Sequence, residues 1–220
     1  MNVRSQVFEI AVEARQVEEA VASIFHTVLF HRSFGKFTYQ DDSSYIIGTI
    51  GYEDVDCDYI GGYTYVRAQS LGLEQTLRAE LAAFSNDLQR NSGPDRGAGQ
   101  VSLEFYQKKK RWIGQEDIPW EVWTVRCELV HLVNEQERLS LQEKVGEMLS
   151  DKVMYIAEVM NKHDYVPKMP SRADLELMFD TSYPDVQPYL FKISHATSMP
   201  TSPSMGTAVR RLIRDTLTFS

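Results

Sequence analysis

The chain has 220 residues, 43% hydrophobic and 11% aromatic, which is ample material for one buried core. A quarter of the residues are charged and no apolar run approaches the roughly 18 to 20 residues that span a bilayer, so a transmembrane segment is not expected. The formal net charge of -8 opposes broad binding to phosphate backbones, which depends on many Lys and Arg contacts releasing counterions, so nucleic acid is not an expected partner.

The segment from Met1 to Arg15 carries Arg4, Glu9, Glu13 and Arg15 among its apolar positions, and neither the apolar stretch nor the cleavage site of a secretory signal is visible in it. From Val17 to Leu29, apolar residues at Val17, Ala20, Val21, Ile24, Phe25, Val28 and Leu29 form one stripe on a helix facing a core. After Gly35, Tyr-rich and β-branched segments near Lys36 to Tyr39, Tyr45 to Ile50 and Tyr63 to Arg67 read as short strands between polar or Gly turns. A second helix starts with Ser70 as cap, aligns Leu73, Leu77, Leu81, Phe84 and Leu88, and stops at Asn91 to Pro94. Alternation at Val101, Leu103 and Phe105, and again at Trp123, Val125, Cys127 and Leu129, predicts a long hairpin of half-buried strands. The strongest helical pattern runs from about Asn134 to Lys162, a candidate central helix that Pro167 and Pro170 terminate. A strand-like run at Tyr189 to Ser194 and a short amphipathic tail from Thr207 to Phe219 complete the chain, with no internal repeat. Patterning alone predicts an α+β fold.

The search for chemistry is mostly negative. Two cysteines, Cys57 and Cys127, make no disulfide framework and point to a reducing compartment. Five scattered histidines show no metal-ligand spacing, and His26 reads as a surface or half-buried imidazole beside the stripe of the first helix. Asp54, Asp56 and Asp58 alternate like the first ligands of a calcium loop, but Tyr59 replaces the needed Gly and Tyr65 the bidentate Glu, so they read as an acidic turn with carboxylates on one solvated face. Negative neighbours disfavour the Cys57 thiolate, which makes that thiol inert. Gly93, Gly97 and Gly99 follow a helix and lead into a strand, the reverse of a phosphate-cradling order. No nucleophile-elbow, kinase or related catalytic signature is present.

The unusual segment is the hairpin turn, read as Lys108 to Asp117. It places Trp112 and Ile113 between basic and acidic residues. Leaving such side chains wet forgoes about 2 to 3 kcal/mol each. Either Trp112 folds back onto the sheet, or it waits to enter a partner's pocket, as exposed aromatics in a charged rim do. Lys108 to Arg111 also resembles a short nuclear-import or anionic-surface patch.

Seven stretches carry a resemblance that extends over essentially the whole chain: Arg15–Ala20, Asp54–Asp58, Thr64–Arg67, Ser102–Lys110, Ile118–Val125, Asp185–Leu190 and Arg210–Ile213. They resemble the autophagy-related protein 101 family. The resemblance implies an α+β HORMA domain, three helices packed on a mainly antiparallel β-sheet with the longest helix central, as one domain over 1–220 with a C-terminal tail from about 197. It implies a non-catalytic adaptor without metal or cofactor, paired with autophagy-related protein 13 as a HORMA heterodimer in the ULK kinase complex. It also implies a cytoplasmic location, at the preautophagosomal structure on induction. In that family the hairpin turn carries an exposed Trp-Pro-Phe finger that recruits downstream autophagy factors. Trp112 matches its Trp, whereas Ile113 and Gly114 follow it here and the second aromatic anchor is missing, with Ile113 as a smaller apolar substitute. Trp112 and Ile113 are therefore the expected partner-binding residues. Two other readings compete: an unrecognised enzyme using His31, Cys57 or Asp56, and a module that binds anionic membranes through Lys108 to Arg111.

Overall fold

The computed structural model describes residues 3–42, 44–93, 97–112, 114–161 and 166–197. In chain order they form β1 (Arg4–Val12), α1 (Val17–His31), β2 (Ser33–Phe34), β3 (Phe37–Tyr39), β4 (Tyr45–Ile47), β5 (Tyr52–Asp56), β6 (Thr64–Ala68), α2 (Leu71–Arg90), β7 (Ala98–Lys110), β8 (Gln115–Leu129), α3 (Glu135–Met160), β9 (Gln187–Pro188) and β10 (Phe191–Ala196). The expected C-terminal tail lies outside the described residues.

Helix ends follow local chemistry. The Ser70 side chain accepts from the Leu73 N–H to open α2, and Asn134 accepts from the Glu137 N–H at 2.8 Å to open α3. A 3-10 turn over Ala14–Gln16 leads into α1, with Glu13 and Gln16 in a reciprocal capping box. Helix α3 stops at Met160, ahead of the prolines expected to end it.

The main sheet has the order β1-β8-β7-β10, with β1 parallel to β8 and the other two pairs antiparallel. Pleat alternation turns Phe8 and Ile10 of β1, Leu103 and Phe105 of β7 and Trp123, Val125 and Cys127 of β8 toward the helices. Strand β1 was not anticipated: Arg4 to Val12 mixes charged and apolar residues, and its pairing with β8 is what makes it a strand.

Two expectations about layering change. Helix α3 is the longest element, yet it is not central: its buried residues make one stripe, and Leu139, Met154 and Tyr155 remain exposed. The centre is α1, which is buried on most sides, its polar Ser23, His26 and Thr27 included, encloses Val17, Val21, Ile24, Phe25 and Val28, and packs against both α2 and α3. Likewise Asp54 and Asp56 do not form an acidic turn before a strand. They sit inside β5, paired with Val66 and Thr64, and their carboxylates do point to solvent, as does that of Asp58 in the turn beyond.

Candidate partner-binding site

The β7–β8 hairpin is longer than the expected turn allows for. Strand pairing continues to Lys110 opposite Gln115, so only Arg111 to Gly114 make the connection. The Arg111 N–H donates to the Gly114 carbonyl at 3.1 Å, and Gly114 takes φ 79°, a backbone region that favours a residue without Cβ. Trp112 sits at this tip fully exposed, so its side chain does not fold back onto the sheet. Ile113, the second expected anchor, lies outside the described residues.

The other two tryptophans have the opposite fate. Trp123 faces inward by simple alternation. Trp120 occupies a β-bulge, where pairing shifts between Phe105 and Tyr106, and this extra residue turns inward against Tyr189, ring centroids 5.1 Å apart. The next residue, Glu121, is also wholly buried. It holds Arg32, from the end of α1, in a two-pronged pair with Nε–Oε2 2.6 Å and Nη2–Oε1 3.2 Å. This buried pair went unread in the sequence, although a charged residue on the inward register of β8 was a visible signal.

The basic run is answered by acids. Lys108 stands opposite Asp117 and Lys109 opposite Glu116 in the ladder, Lys110 Nζ lies 3.2 Å from Asp174 Oδ1, and Arg111 Nε contacts Glu116 Oε2 at 2.6 Å. Lys110, then Ser171, holds the Asp174 carboxyl below its ordinary range. Among its described residues the tip thus exposes an apolar ring, and it carries little net positive charge for an anionic surface.

The residues weighed for catalysis are brought together only in part. Cys57 and Asp56 line a cleft of about 250 Å³ with His26, whereas His31 does not line it. His26 is neither at the surface nor half-buried, the two positions expected of it: it is 5% exposed and stacks on Tyr65, because the α1 stripe is wider than one face. Burial, aided by Arg67, pushes its pKa down to about 3, and burial with Glu19, Asp58 and Asp56 pushes the Cys57 thiol up to about 12. At neutral pH this pair is a weak base beside a protonated thiol, unsuited to nucleophilic chemistry. Among the described residues, no cluster of three or more His, Cys, Asp or Glu is placed to hold a metal, and no helix is long and apolar enough to cross a membrane.

The sequence profile described as Autophagy-related protein 101 matches residues 9–173. Proteins of that name from Xenopus tropicalis and Homo sapiens are each 54% identical over 219 residues, covering 99% of both chains. One from Arabidopsis thaliana is 24% identical over 185 residues, 74% of this chain and 78% of its own. The chain belongs to the autophagy-related protein 101 family. Membership assigns it a role in autophagy, and the helices packed on a mainly antiparallel sheet are the HORMA fold of that family. At the β7–β8 tip, Trp112 stands clear of the core.

Proposed function

We propose that this protein is a non-catalytic adaptor of autophagy initiation, which pairs with autophagy-related protein 13 as a HORMA heterodimer in the ULK kinase complex and recruits downstream factors through Trp112, with Ile113 as its apolar neighbour. The protein acts in the cytoplasm and at the preautophagosomal structure on induction. The observation that carries this reading is the full exposure of Trp112 at the tip of a stiff hairpin, in a chain whose other two tryptophans are buried. A large ring on a short connection, framed by paired strands and closed by Gly114, needs little beyond the ordering of its own side-chain torsions to enter a pocket. Burial and the carboxylates around Cys57 keep its thiol protonated, which speaks against a Cys57 nucleophile in the competing enzyme reading.

Trp112→Ala is the test. Since the ring touches no core residue, thermal unfolding should stay within the small range of surface substitutions, about 0.5 kcal/mol. Capture of autophagy-related protein 13 from cell extract should persist, while capture of downstream autophagy factors falls by tenfold or more, about 1.4 kcal/mol or above. A large drop in melting temperature, or unchanged recruitment, would contradict the role of the ring.

A further inference from the structure

The cleft beside Cys57 serves no purpose in the adaptor reading. Helix α1, helix α2 and the β5–β6 hairpin enclose it, and it opens to solvent. Its volume of about 250 Å³ is below the usual range of sites for whole small molecules, and suits a single long side chain. Its inner wall is apolar, from Ala22, Val55, Leu77 and Leu81.

Its charge is one-sided. Glu18, Glu19, Asp56, Asp58 and Glu74 line it, against Arg67 and Arg78. Both guanidinium groups already pair with Glu74, and Arg67 also with Glu53 at 2.8 Å. Glu19 is committed to the backbone N–H groups of Asp58 and Tyr59, at 2.8 and 2.9 Å, and Asp56 accepts from the Thr64 hydroxyl. The exposed carboxylates of Glu18 and Asp58 remain at the rim for an incoming cation.

A second, independent observation lies deeper. The His26 imidazole is 5% exposed, lines the cleft and stacks on Tyr65 with centroids 5.9 Å apart, yet no described residue gives it a hydrogen bond. With no hydrogen bond to any described residue, the neutral imidazole offers an acceptor nitrogen to a donor arriving through the cleft. We propose that this cleft receives a lysine or arginine side chain from a partner polypeptide, which enters past the Glu18 and Asp58 carboxylates at the rim, lays its apolar stem against Ala22, Val55 and Leu81 and brings its cationic head to the His26 acceptor nitrogen. The acidic rim attracts the charged tip, the apolar wall takes the long stem, and the buried imidazole gives the tip an acceptor. The site is separate from the finger and does not depend on it.

The test titrates the full chain with N-acetyl-lysine amide, N-acetyl-arginine amide, N-acetyl-norleucine amide, which keeps the lysine stem without its ammonium group, and a free alkyl diamine, following the His26 ring resonances by NMR. The expected result is a saturable shift with one of the cationic amides, of roughly millimolar affinity for so small a probe. It should weaken about tenfold in the exposed double variant Glu18→Gln with Asp58→Asn, survive in His26→Gln when followed through Tyr65, and be unchanged in Trp112→Ala. Any of three results overturns the proposal: an equal response to the norleucine amide, tighter binding of the free diamine than of either amide, or no saturation with either cationic amide.

Discussion

His26 shows how far a single residue can depart from its sequence context. It sits on α1 within a run of apolar residues, and nothing nearby in the chain says which neighbours will surround it. Packing against β6 brings Tyr65 onto its ring and Arg67 close by, and burial drives its pKa from 6.5 to about 3. The sign of the consequence follows from proton uptake. The unfolded chain takes its proton near pH 6.5 and the folded one near pH 3, so stability from neutral His26 is complete above pH 6.5 and lost as pH falls toward 3. Between pH 6.5 and pH 5 this amounts to about 1.6 kcal/mol. Urea unfolding at the two pH values should show that loss in the native sequence and a smaller one, by about that amount, in His26→Gln; equal losses would place the imidazole in water. Trp112 is the converse case. Its basic and acidic neighbours already suggested a surface position, but composition alone balanced this against folding back, and only the paired strands that carry the tip outward decide it.

At the scale of elements, the β7–β8 hairpin and the end of α1 are held together by the Arg32–Glu121 pair. The Arg32 guanidinium lies 5.7 Å from the Trp120 ring, and its backbone carbonyl accepts from the Tyr189 N–H, so α1, β8 and the segment before β10 converge on one residue. Removing one partner strands a charge inside. Glu121→Leu alone should therefore cost about 3 to 5 kcal/mol, while joining it to Arg32→Met should recover most of that loss, since a buried pair replaced by apolar groups of similar volume is often near neutral. Chemical denaturation of the two single variants and the double variant closes the cycle, and additive losses would mean that the two residues act separately. The helices and the hairpin were legible because their apolar periods are regular and Ser70 and Asn134 are strong caps. Strand β1 and the bulge at Trp120 were not, since each exists through a partner strand distant in sequence.

For the molecule as a whole, the order of burial sets the order of opening. Helix α1 touches α2, α3 and β6, whereas α3 leaves one side to solvent. Native-state hydrogen exchange should find the amides of Val21 to Val28 exchanging only through global unfolding, and those in the outer turns of α3 near Met154 through smaller openings; faster exchange in α1 than in α3 would reverse this hierarchy.

Local periodicity, capping residues and turn chemistry are properties of short stretches, so the sequence by itself determined the three helices, the long hairpin, the α+β class and, through its matching segments, the family. Which helix becomes the core, which tryptophan stays outside, where His26 lies and which cation answers Glu121 were decided by the tertiary structure alone. Each depends on what covers a surface, and the covering groups come from residues as far apart as Arg32 and Glu121 in the chain.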